Sequence, residues 1–166
     1  MRNLVMTVIG PDRPGLVEEL SATVTGHGGN WLESRMSHLS GHFAGLLRVE
    51  CPEENCAALL AALQNLENLT VAVSEELVVE RDRQKIIAFD VVGNDRPGIV
   101  QELSSAIVRA GGNVEELVSN LESAPHAGHL VFRATGSVAV AADFDEDGLV
   151  TALEALGPDL AVSLET

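Results

Sequence analysis

The chain has 166 residues, 46% apolar and 3% aromatic, with a formal net charge of −15 at pH 7. So acidic a surface repels phosphate backbones and anionic membranes, and Lys85 is the only lysine, so direct nucleic-acid and membrane binding are not expected. No charged-then-apolar leader opens the chain and no apolar run approaches ~20 residues, so the expected location is the cytoplasm, with Cys51 and Cys56 as reduced thiols.

Leu4 to Ile9 reads as a buried strand that breaks at Gly10-Pro11. A helix is expected from about Pro14, with Leu16, Val17, Leu20 and Val24 on one stripe and Gly28-Gly29 as its left-handed stop. Trp31 to Leu39 and Phe43 to Val49 read as strands joined by a hairpin turn at Ser40-Gly41. A second helix carries Leu59, Leu60, Leu63 and Leu66 inward, and Leu69 to Val79 closes the unit as a strand. The order then recurs. Lys85 to Val92 is a strand and Pro97 to Ala110 a helix; Val114 to Leu121 and Leu130 to Thr135 are strands. Leu149, Val150, Leu153 and Leu156 stripe the last helix, and Leu160 to Leu164 is the final strand. The stripes of the two second helices lie 90 residues apart, which implies about seven inserted residues, assigned here to Gly136 to Asp145. The expected fold is α+β, two tandem ferredoxin-like βαββαβ domains with antiparallel sheets: 1–80, a polar linker 81–84, and 85–166.

The repeat is more than a repeated order of elements. Gly10-Pro11-Asp12-Arg13-Pro14-Gly15-Leu16-Val17 returns 83 residues later as Gly93-Asn94-Asp95-Arg96-Pro97-Gly98-Ile99-Val100. The same shift carries Gly28-Gly29-Asn30 onto Gly111-Gly112-Asn113. Pro14 and Pro97 suit a first helical turn, and Asp12 and Asp95 are short acceptors able to cap it. Gly15 and Gly98 would let a ligand approach the helix backbone, whose free N–H groups favour a carboxylate. Asp can accept from an ammonium group. Together these features suit an α-amino acid, although a well-made helix start with no ligand explains the same residues. Asn30 and Asn113 open the second strand of each copy; they tolerate a left-handed turn, or donate to a carboxylate if strand end and strand start share a groove.

A strand, Asp-Arg-Pro-Gly-(Leu/Ile)-Val, a helix, Gly-Gly-Asn and a strand resemble the ACT domain, a small amino-acid-sensing module, over nearly the whole chain. Two such units with no catalytic domain resemble the glycine cleavage system transcriptional repressor family, as do Asn30 to Met36 and Leu39-Ser40-Gly41. The resemblance implies a non-enzymatic regulator that senses glycine or another small amino acid and acts on transcription through protein contacts. It implies ligand contacts at Asp12, Arg13, Gly15 and Leu16, at Asp95, Arg96, Gly98 and Ile99, and at Asn30 and Asn113. It further implies a regulatory protein partner such as a transcriptional activator, with no cofactor; open sheet edges and faces suggest a homodimer. Trp31 stands where the second copy has Val114, so an indole could fill one site and leave the other open.

Two other readings compete. One is a ligand-independent dimerisation module with a vestigial pocket. The other is a calcium-responsive module, because Asp143, Asp145, Asp147, Gly148 and Glu154 follow an EF-hand loop pattern. Against calcium, Gly136 to Ala142 is strand-like where an entering helix is needed. The histidines His27, His38, His42, His126 and His129 show no ligand spacing, His42 and His129 reading as strand-associated and solvent-facing, and no nucleophile elbow or phosphate loop occurs.

Overall fold

The computed structural model describes residues 1–76, 84–123 and 129–165, which fall into two compact units, Met1–Val79 and Glu80–Thr166. The first unit runs β1 (Arg2–Pro11), α1 (Leu16–Gly26), β2 (Asn30–Leu39), β3 (His42–Cys51), α2 (Glu53–Gln64) and β4 (Thr70–Glu75). Its strands form one antiparallel sheet in the order β2-β3-β1-β4. The second unit runs β5 (Gln84–Asn94), α3 (Ile99–Arg109), β6 (Asn113–Ser123), β7 (Leu130–Ala141), α4 (Glu146–Glu154) and β8 (Ala161–Glu165), in the sheet order β6-β7-β5-β8. Each is a βαββαβ unit, as the sequence pattern implied.

Strand alternation builds the cores. Leu4, Met6 and Val8 of β1, with Leu47, Val49 and Cys51 of β3, turn one sheet face toward Leu20, Val24, Leu59 and Leu63 of the helices. In the second unit Ile87, Phe89 and Val91 meet Leu103, Ile107, Leu149 and Leu153 in the same way. The helix stops also repeat. Gly28 and Gly111 hold φ of 71° and 92°, with Gly29 N–H donating to the Val24 carbonyl and Gly112 N–H to that of Ile107, the hydrogen bonds of a Schellman close. The Ser40-Gly41 hairpin turn has positive φ at both residues, 48° and 81°, as expected of a primed turn.

Three expectations change. Helices α1 and α3 start at Leu16 and Ile99, not at the prolines, because Gly15 and Gly98 sit before them in the left-handed region at φ 86° and 89°. The inserted residues are also elsewhere. The shift between copies is 83 at Leu121 against His38 but 89 at Phe132 against Phe43, so six of the seven inserted residues lie between β6 and β7, and one falls between Phe132 and Leu149. Gly136 to Ala141 simply continues β7. Finally, Gln84 opens β5 instead of ending a linker; residues 81–83 lie outside the described residues, as do 77–79 of the expected strand Leu69–Val79.

Candidate functional site

The repeated loop leaves the end of the central strand in each unit and is tied to the neighbouring hairpin. Asp12 N–H donates to the Gly41 carbonyl at 2.9 Å, and Asp95 N–H to the Leu130 carbonyl at 3.3 Å. The second loop has a further brace, from the Asn94 N–H to Asp159 Oδ2 at 2.7 Å. That amide is the main reason the Asp159 carboxyl titrates below the usual carboxylate range. Neither helix has a side-chain cap on its first turn, so Asp12 and Asp95 do not cap as expected. The arginines are engaged at home: Arg13 pairs with Glu19, while Arg96 pairs with Glu102 and donates to the Leu156 carbonyl at 3.0 Å. Leu16 and Ile99 are buried, and their first role is in the cores.

The two loops then differ. In the second unit Asp95, Arg96, Gly98 and Ile99 line a groove of about 470 Å³ whose far wall is Ser119, Asn120 and Leu121 of β6, with Phe132 beneath. Among the described residues the Asp95 carboxylate makes no hydrogen bond or ion pair. In the first unit the register sets Met36 and His38 where the second has Ser119 and Leu121. Met36 packs onto the core, and His38 Nε2 stands 3.8 Å from Asp12 Oδ2. The concavity beside Arg13, Pro14 and Gly15 instead lies over Glu18, Glu19, Ala22 and Thr23 of α1. One loop faces a groove; the other has a histidine against its carboxylate.

The β6 wall was missed in the sequence reading, although alternation from Asn113 along an antiparallel strand would have brought Ser119 and Leu121 beside the loop. The asparagines are the converse error. Asn30 pairs with Glu50, which pairs with Asn3, whereas the loop follows Pro11, so Asn30 lies eight residues along the sheet. At ~3.3 Å per residue that is about 26 Å from the Asp12 loop. Asn113, paired with Ala139, lies equally far from Asp95 in its own unit. Each donates to a neighbouring carboxylate, Glu50 and Glu115, at 3.2 Å. Within a unit these residues share no groove with the loop.

Trp31 and Val114 are both half-buried and each packs on the core of its own unit; Val114 also lines a small cavity within the second core, with Phe89, Leu103, Ile107 and Leu153. Of the calcium pattern, the segment before it is β7, not a helix, and the Asp145 carboxylate accepts from Gly148 N–H at 2.9 Å as the N-cap of α4. Asp147 and Glu154 are both on that helix, about 10 Å apart at 1.5 Å per residue, too far to close on one ion. Asp145→Ala should therefore cost about 1 kcal/mol of thermal stability, with calcium leaving the melting of both proteins unchanged. His42 and His129 are exposed as expected; His126 lies outside the described residues. Among the described residues no helix is long and apolar enough to cross a membrane.

The family model of the ACT domain matches residues 2–74. Among solved structures, a protein from Galdieria sulphuraria described as unknown is 27% identical, aligned over 99% of this chain and 97% of that one with a TM-score of 0.86. A protein carrying the provisional name glycine cleavage system transcriptional repressor is 20% identical over 99% of this chain and 96% of its own, with a TM-score of 0.68. At that identity the likeness is one of fold. The curated proteins offer no match.

Proposed function

Because residues 2–74 match the ACT domain and the second unit repeats that fold, we propose that this chain belongs to the ACT domain family and is a regulatory protein without catalytic activity whose second unit binds a small amino acid. The observation that carries this reading is the groove beside Asp95. An uncapped helix start offers N–H groups and a positive dipole end to a carboxylate, and the Asp95 carboxylate, without a partner among the described residues, stands ready for the ammonium group. An α-amino acid presents both charges on one carbon. In the first unit His38 stands 3.8 Å from the Asp12 carboxylate and Met36 packs on the core, which favours the other reading there: a ligand-independent contact module.

Binding acts by differential affinity for two packings of the chain or of its partner surface. The solved structure that carries a repressor's provisional name supports a role in transcription through a protein partner such as an activator, and glycine belongs among the ligands tried. The reading makes the chain a cytoplasmic homodimer whose two free thiols, Cys51 and Cys56, stay reduced.

A thermal-shift screen of the full chain against amino acids tests the reading. Ligand at one hundred times its dissociation constant should add about 2.7 kcal/mol. Asp95→Ala should remove that stabilisation, and Asp12→Ala should leave it in place. Equal loss in both variants, or no shift with any amino acid, contradicts the assignment.

A further inference from the structure

The groove beside Asp95 has polar and apolar walls, and they differ in what they still have to offer a ligand. Its one cation, Arg96, is spent on Glu102 and the Leu156 carbonyl, and the Asn120 amide donates to Glu122 at 3.1 Å. An acidic or amide side chain on a ligand would have to displace one of these bonds. The apolar wall is open. Val100, 42% exposed in the first turn of α3, and Leu121, 51% exposed on β6, line the groove together with the buried ring of Phe132. Leu121 pairs with Phe132 across the strands, so the two are held side by side. An apolar group lying on this wall removes it from water; a polar one loses its own hydration there.

The helix start sets this wall beside the charged end of the groove. Ile99 N–H donates to the Arg96 carbonyl at 3.3 Å, and Glu102 N–H closes the first turn on the Gly98 carbonyl at 3.0 Å. Between them lie the amides of Val100 and Gln101, so a carboxylate bound there sits against the residue that begins the apolar wall. The first unit has no such wall. Val17 matches Val100, but His38 holds the register position of Leu121, paired with Phe43, and its imidazole stands beside Asp12. From this contrast we infer that the second unit selects an amino acid with an aliphatic side chain, laid on Val100 and Leu121 with its charged groups at Asp95 and the start of α3. The inference rests on the amino-acid site proposed above and names its ligand class.

Titration calorimetry of the full chain with leucine, valine, serine and glycine tests it. Two or more covered methyl or methylene groups should make leucine and valine bind at least about tenfold tighter than glycine. Serine, whose hydroxyl meets only Ser119 in the groove, should rank with glycine. Leu121→Ser and Val100→Ser alter exposed side chains on separate elements, and each should weaken leucine several-fold. Serine or glycine binding as tightly as leucine overturns this inference while the amino-acid site stands. So does leucine affinity untouched in both variants, or an equal loss for glycine in them. Binding of none of the four overturns it as well, and the screen of all amino acids then decides whether the site itself survives.

Discussion

Gly136→Ala should unfold the second unit while sparing the first. Gly136 is in β7 opposite Phe89 of β5 and Leu117 of β6. A Cβ there would overlap the Glu116 carbonyl, which belongs to the backbone at the β6 bulge and cannot rotate aside, and would lie 2.9 Å from Phe89 Cζ. The first unit solves the same problem differently: the matching cross-strand pair is Met6 and Leu47, so the second has traded a leucine for a glycine and a methionine for a phenylalanine ring. Adding a methyl to that arrangement should cost about 3 kcal/mol or more, a large share of a small domain's stability. Trp31 is the only tryptophan and reports on the first unit. In urea, circular dichroism should therefore lose part of its signal early while the tryptophan fluorescence midpoint holds. Coincident, unshifted transitions would show that β6 moves to accept the methyl.

The mirror experiment is Leu59→Ala. Leu59 lies on the inner stripe of α2 with no exposed surface, in a core that also holds Leu20, Leu63 and Met6. Truncation removes buried methyl groups and leaves a cavity, at a cost of about 2–5 kcal/mol. Here the fluorescence transition should move to lower urea. An effect under about 1 kcal/mol would mean that the small first core collapses around the hole.

Much of this architecture could be read from the sequence because its signals are local. The double-glycine stops and the Ser40-Gly41 turn each depend on a few neighbouring residues and appear where they were expected, as do the apolar stripes except at Val17 and Val100, which are exposed rather than inward. The repeated glycine of the loop was legible as a position but misread in cause: Gly15 and Gly98 are needed for a left-handed backbone before the helix, whether or not a ligand approaches. What failed depended on pairing between strands. The six extra residues fell between β6 and β7 because strand register, invisible in a single sequence, carries β7 on through Gly136. Asn30 and Asn113 were grouped with the loops by their repetition, yet the helix return sets them at the other end of the sheet. The asymmetry of the two units was half legible. Trp31 against Val114 could be seen; His38 against Leu121, which puts a histidine beside Asp12 and a leucine in the groove beside Asp95, could not be weighed without the register.

The central claim is that one loop of the two, at Asp95, takes an amino acid. An amide-resonance titration of the full chain with valine and glycine addresses it most directly. Saturable shifts should be confined to Asn94 through Val100 and to Ser119 through Leu121, with Asp12 through Val17 unmoved. Shifts at the first loop alone, or no saturable shift with either amino acid, would contradict it.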